Sequence, residues 1–437
     1  MSSADTTTSR PGLVRALGRW DLTAIGVNQV IGGGVFLMPA LVAANVGAWS
    51  PWAVLAVGGV SMIIALCFAE AGSRFDATGG PYLFTRAAFG RFVSFETGWM
   101  LWFVRAASWA SVINGLMDAL GFYWPALAGG MLRPTVITLL IAAICWINVR
   151  GIRQSAIVVN VFTVGKLVPL VVFVLVGSFF VRLDWIQPTG NLTWATMSAS
   201  ALYLVFAFGG YEVVPVPAGE TRDPERTVPF ALIMTIVIVT AVMTLVQVVA
   251  LGTLENLGAA RTPLADAALV FMGGVGGLLL TTGAAVSMTG NNVGQALSGS
   301  RSLFALGEQG DLPGFIGRVH PKYHTPANAI VATSVVALVL ALTGSFATLA
   351  AGSAVARLVV YAGTCASVLV LRRPALASRV APARFVVPGG PIIPILGLVV
   401  SVAIIGGAST RQLVVGLSAL AVGAAVFFAA APARRLE

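Results

Sequence analysis

Apolar residues run along this chain in long blocks, separated by short polar stretches rich in Arg, Gly and Pro. About 20 apolar residues suffice for a helix to cross the hydrocarbon core of a bilayer. Twelve blocks approach or exceed that length: 22–45, 51–70, 93–120, 134–149, 156–180, 194–217, 229–252, 268–299, 326–344, 347–371, 391–408 and 412–430. The third and eighth are long and are expected to tilt or to extend beyond the bilayer. The pattern predicts an all-α integral membrane protein.

Two blocks are interrupted. The first contains the triplet Gly32–Gly33–Gly34 within GVNQVIGGGVFLMP. Each glycine costs about 1 kcal/mol of helix propensity relative to alanine, so the triplet predicts a break. A break at membrane depth exposes backbone groups that only protein or a water-filled cavity can satisfy. It therefore points to a binding site, with the second half-helix aiming its positive end at an anion. The alternative is a small-residue packing face. The sixth block, ALYLVFAFGGYEVVPVP, carries Gly209–Gly210 near its middle, then Pro215 and Pro217. Two interrupted spans, five apart, are the sequence sign of an inverted repeat with a midplane site.

Composition agrees with a membrane protein. The 437 residues are 57% hydrophobic and 10% charged, with mean hydropathy +0.92, against about 25% charged in soluble domains. No signal peptide is read in the polar residues 1–20. Three cysteines, Cys67, Cys145 and Cys365, each lie in an apolar run. Two histidines, His320 and His324, share one polar loop. Neither set suggests a disulfide framework, a metal site or a cofactor. The net charge of +10 is read as the positive-inside bias, not as nucleic-acid binding. Arg10, Arg15 and Arg19 precede the first span. Alternate loops then carry Arg74, Arg86 and Arg91, Arg150 and Arg153, Arg222 and Arg226, Arg301, Arg318 and Lys322, and Arg372, Arg373, Arg379 and Arg384; Arg434 and Arg435 end the chain. Both termini are expected in the cytoplasm.

Charges inside the spans are the candidate chemistry. Lys166 and Lys322 are the only lysines. Lysine can lose its proton when desolvated and arginine cannot, so Lys166 suggests a proton-linked role, with snorkelling as the alternative. Glu212 follows the second break, as a gate, a proton sensor or a structural tie. Arg105 could face a substrate carboxylate, or pair with Glu212 or a backbone carbonyl. Arg357 is similarly ambiguous and receives no role. Asn291, Asn292 and Gln295 either bond another helix or line a cavity. Trp102, Trp109, Phe206, Phe208 and Tyr211 are candidate walls for an organic ligand.

Four stretches carry a resemblance: IGGGVFLMP, AEAGSRFDATGGPYLFTRAAFGRFVSFETGWMLW, FAFGGYE with GETRDPERTVPFA, and SGSRSLFALGEQGDLPGFIGRVHPKYHTPANAI. In these, over roughly residues 20–345, the chain resembles the amino acid–polyamine–organocation (APC) transporters. The resemblance implies about 12 transmembrane helices in a leucine-transporter-like five-plus-five inverted repeat with broken helices 1 and 6. Residues 1–20 would be a cytoplasmic tail, 21–182 the first repeat, 190–372 the second, and 373–437 two added helices with a short tail. The substrate α-carboxylate would bind the amides of Gly32, Gly33 and Gly34. The α-ammonium would meet carbonyls near Val30–Ile31 and along Phe206, Ala207, Phe208 and Gly209. Phe208 would gate or wall the site. Lys166 matches a lysine that stands in for a sodium site in proton-coupled members, and Glu212 an acidic gate position. Phe206 falls where members exchanging arginine for agmatine have a gating tryptophan, and Trp109 where they have an asparagine that reads the guanidinium, which implies a neutral or broadly accepted amino acid. Tyr211, Asn291, Asn292, Gln295 and Arg105 are candidate pore-lining residues.

The expected activity is amino acid uptake across a bacterial inner membrane by alternating access, coupled to protons, in a monomer or homodimer embedded in lipid. Exchange is the runner-up, followed by polyamine transport. A non-transporting sensor is the rival of another class. No nucleophile–base or metal set suggests an enzyme.

Overall fold

The computed structural model describes residues 17–77, 79–121, 123–127, 129–150, 156–218, 221–323, 325–376 and 380–430. Arg10, Arg15, Arg153, His324, Arg379, Arg434 and Arg435, used above, lie outside the described residues. Among those described the chain is helical, with no β-strand beyond an isolated bridge between Leu17 and Thr221.

In chain order the helices are α1 (Arg19–Val30), α2 (Gly34–Val46), α3 (Ser50–Gly72), α4 (Pro81–Phe89), α5 (Arg91–Leu120), α6 (Leu132–Arg150), α7 (Ala156–Gly177), α8 (Trp194–Phe208), α9 (Pro224–Thr253), α10 (Pro263–Glu308), α11 (Ala327–Thr343), α12 (Phe346–Leu371), α13 (Ile392–Gly406) and α14 (Thr410–Ala429). Local chemistry sets their ends. Proline occupies the first turn of α3, α4, α9 and α10, where its missing N–H is not needed. Thr193, Ser345 and Ser409 accept from the third backbone N–H of α8, α12 and α14, satisfying a donor that would otherwise be orphaned. Gly80 and Gly90, at φ 53° and 82°, bound the short α4.

Among the described residues, six segments are long and apolar enough to cross a membrane: Gly34–Gly72, Leu132–Arg150, Pro224–Thr253, Pro263–Glu308, Phe346–Leu371 and Thr410–Ala429. Shorter apolar helices include Trp194–Phe208, Ala327–Thr343 and Ile392–Gly406. Leu139, Leu175, Val402 and Leu417, on α6, α7, α13 and α14, are each more than half exposed. Outward apolar faces on four helices suit lipid as the surrounding solvent; in water they would be association sites. The long α5, about 45 Å at 1.5 Å per residue, packs against α10 and α12 and forms the wall of the interior. The expected length of the eighth span is met by α10, 46 residues with a kink at Gly273 (φ 61°).

Candidate solute-binding site

The first apolar block is broken at the glycine triplet. Helix α1 ends at Val30, and Ile31 leaves the helical region at φ −74°, ψ 85°. The Gly32 N–H turns back to the Val30 carbonyl at 2.8 Å. Helix α2 starts at Gly34, so the amides of Gly33 and Gly34 fall among the opening N–H groups for which a helix supplies no partner. Close approach imposes two of the three glycines. A Cβ on Gly32 would stand 2.7 Å from the Asn291 amide, and one on Gly34 would stand 2.9 Å from the Ala207 Cα. At Gly33 it would meet Met288 and Phe346 at 3.6 Å, an ordinary contact, so the middle position leaves room.

The second break lies against the first. Gly210, at φ 139°, approaches the backbone so closely that a Cβ there would sit 2.6 Å from the Gln29 carbonyl carbon. Beyond it the expected span 194–217 departs from the pattern: α8 stops at Phe208, and only a single 3-10 turn, Tyr211–Val213, follows. Pro215 and Pro217 lack an N–H and restrict the residues before them, which prevents a regular second half-helix.

Four polar side chains converge behind these breaks, all nearly inaccessible to solvent. Glu212 Oε1 takes Arg105 Nη2 at 2.5 Å and lies 3.1 Å from Arg357 Nε. Its Oε2 accepts from the Gly210 N–H at 2.8 Å and the Tyr361 hydroxyl at 3.1 Å. The Arg357 Nη1 donates to the Phe206 carbonyl at 3.2 Å, and Nη2 to Ser108 Oγ at 3.3 Å. Arg357 also explains Gly209, because a Cβ there would coincide with the guanidinium. Arg105 Nη1 reaches Gln295 Oε1 at 3.3 Å, Gln295 Nε2 reaches Asn291 Oδ1 at 3.4 Å, and Asn291 Nδ2 reaches the Gln29 carbonyl at 3.1 Å. This relay joins α5 to the end of α1 through α10.

On the far side of α1, the fully buried Lys166 of α7 donates to the carbonyls of Asn28 at 2.9 Å and Ile31 at 2.8 Å. Ser287 lies 3.3 Å from both the Ile31 and Gly32 carbonyls.

A small cavity opens at the junction. Of the residues singled out from sequence, Val30, Gly32, Gly33, Gly34, Phe206, Ala207, Gly209, Asn291 and Gln295 line it. Ile31, Phe208, Trp109, Tyr211 and Asn292 are buried without lining it. Trp109 faces neighbouring helices with its indole N–H unpartnered, and Tyr211 stacks on Tyr361. Lys166, Glu212 and Arg105 stand one layer back. Sequence reasoning missed Gln29, Ser108, Val112 and the part played by Arg357, all of which line the cavity. Arg105, Ser108 and Val112 share one face of α5 by helical spacing. Of the acceptors expected for an ammonium, Ile31 is engaged by Lys166, Val30 by the Gly32 N–H and Phe206 by Arg357.

Apolar helices interrupted around a polar cavity define a membrane protein that handles a small solute. An amino acid permease family model matches residues 17–431, and the chain belongs to that family, within the APC superfamily. It is 32% identical over 427 residues to an uncharacterized transporter of Mycobacterium tuberculosis, covering 95% of this chain and 91% of that one. It is 26% identical to the branched-chain amino acid permease BcaP of Bacillus subtilis, covering 97% and 94%. It is 29% identical to the methylthioribose transporter of the same organism, covering 88% and 86%. The protein is a multi-pass membrane transporter of a permease family, not an enzyme.

Proposed function

We propose that this protein moves an amino acid across a bacterial inner membrane by alternating access, as a proton-coupled symporter. The reading includes twelve spans with cytoplasmic termini. Residues 21–182 and 190–372 form a leucine-transporter-like five-plus-five inverted repeat, followed by two added helices; the unit is a monomer or homodimer. Its support is that the interrupted first and sixth apolar segments pack break against break. The solute carboxylate is assigned to the Gly33 and Gly34 amides, where a helix N-terminus favours an anion.

The observation that carries the coupling is Lys166, whose ammonium ties α7 to two carbonyls at the unwound end of α1. Loss of its proton would remove the charge that strengthens both bonds and free the first break to rearrange. Phe206 and Val112 give the cavity an apolar side. The Arg357 guanidinium disfavours cationic solutes, so polyamines fit poorly. The test is uptake by purified protein in liposomes. Lys166→Ala is expected to lose uptake driven by a pH gradient while retaining counterflow of preloaded solute. Unchanged pH-driven uptake would remove Lys166 from the coupling. Uptake only into preloaded vesicles by the unmodified protein would make it an exchanger.

A further inference from the structure

Resting on the reading that a solute carboxylate enters the first break, we infer that the transported solute carries a second anionic group that pairs with Arg357 at the end of α8. The site then selects an acidic amino acid over its amide.

Three basic side chains, Arg105, Arg357 and Lys166, surround the two breaks, and among the described residues Glu212 is the one carboxylate in contact with any of them. Glu212 is spent. Its two oxygens already face two guanidiniums, the Gly210 N–H and the Tyr361 hydroxyl, and a carboxylate offers about four acceptor sites. It does not line the cavity, and neither does any other carboxylate. Arg357 does line it, with its donors only partly used: the contacts to Val205, Phe206 and Ser108 run 3.2 to 3.5 Å, and Nε has no aligned hydrogen bond despite its nearness to Glu212.

The cavity is thus rich in donors and in positive charge. Gly33 and Gly34 line it with their amides, and Arg357 with Ser108 adds a guanidinium and a hydroxyl. A cation away from water is costly unless paired, and a guanidinium matches a carboxylate in both shape and charge. The same guanidinium occupies the carbonyl end of α8, where an ammonium was expected, so a solute presenting only positive charge there meets repulsion.

The experiment compares acid with amide, because the two differ in charge and hardly in size. Full-length protein in liposomes is given radiolabelled L-glutamate, competed by L-glutamate, L-aspartate, L-glutamine, L-asparagine, L-leucine or 2-oxoglutarate. Ligand protection against thermal unfolding is read in parallel. The acids are expected to compete at least about tenfold better than the amides, as the loss of one charged hydrogen-bond pair predicts. Competition by 2-oxoglutarate equal to glutamate also supports the inference, with the amine unread; no competition by it supports the inference with the amine required. Amides that match or exceed the acids overturn it. Transport of neutral amino acids without the acids overturns this inference and leaves the reading beneath it standing; no binding or uptake of any amino acid overturns both. Arg357→Gln is expected to reduce the acid-to-amide preference at least tenfold, and Arg357→Lys to retain most of it. If Arg357→Gln fails to fold, the unmodified protein's selectivity decides alone.

Discussion

Glu212→Gln tests the electrostatic account of the interior with nearly no change of shape. Three donors converge on the Glu212 carboxylate, Arg105 Nη2, the Gly210 N–H and the Tyr361 hydroxyl, and the Arg357 guanidinium adds a second cation 3.1 Å away. Glutamine offers one oxygen. Turned toward the guanidiniums, it sets its NH2 against the Gly210 N–H; turned the other way, it sets NH2 against two cations. Removing one partner of a buried pair costs about 3–5 kcal/mol. Here two guanidiniums lose one anion, so the upper half of that range is expected, close to three decades in the unfolding equilibrium. The assay is SDS-induced unfolding in mixed micelles, read by tryptophan fluorescence. Adding Arg105→Met is expected to recover part of the loss, since an apolar replacement of a buried ion pair is often neutral. Asp184→Asn, in the exposed pair with Arg182, is the control, with an expected change below about 1 kcal/mol. A Glu212→Gln protein within about 1 kcal/mol of the original would refute the reasoning.

Two further outcomes follow from the geometry. Gly34→Ala puts a Cβ 2.9 Å from the Ala207 backbone and is expected to destabilise by about 1–3 kcal/mol through overpacking. Gly33→Ala meets only 3.6 Å contacts and should leave stability unchanged in the same SDS titration. Outside the spans, Tyr82 of α4 donates to Asp311 Oδ2 at 3.0 Å. Burial, then the Asp311 carboxylate, push its phenol up to about 12. Its raised value stabilises the fold fully below pH 10, and that contribution is lost between about pH 10 and 12. The absorbance difference at 295 nm between the original and Tyr82→Phe should titrate near pH 12; a midpoint at 10 would contradict the burial.

Much of this was legible in the sequence because its signals were local. Run length predicts the helices, and Gly32–Gly34 and Gly209–Gly210 mark the breaks that the structure contains. Arg105, Lys166, Glu212 and Arg357 stand out as charges in apolar surroundings. What was not legible was long-range. Residues 105, 108, 109 and 112 of α5 share an arc of about 100° at 3.6 residues per turn, and periodicity does not say which edge of that arc meets the cavity. Ser108 and Val112 meet it; Trp109 does not. The partner of Arg357 was likewise invisible, since the carbonyls it meets are released only by the fold of α8. After Gly210 no regular second half-helix forms within the sixth block, for a local reason, the prolines at 215 and 217.

Burial of the ion pairs also decides which interfaces can move. At the end carrying α4, Asp311 is paired with Arg86 and Arg91, whose side chains are 38% and 45% exposed. Glu70 on α3 is paired with the partly exposed Arg372. Asp311 and Glu70 are themselves buried, but their guanidinium partners reach water, so these pairs are hydrated on one side. Separating Glu212 from Arg105 and Arg357 admits no water and costs several kcal/mol. A transport cycle that opens at the α4 end therefore breaks these half-hydrated pairs first and keeps α5, the 211–213 turn and α12 together. Those elements can separate only if another anion takes the place of Glu212 on a guanidinium. An anionic solute lodged on Arg357 supplies one, so occupancy would lower the barrier to moving the second break in a way that a neutral solute of the same size could not.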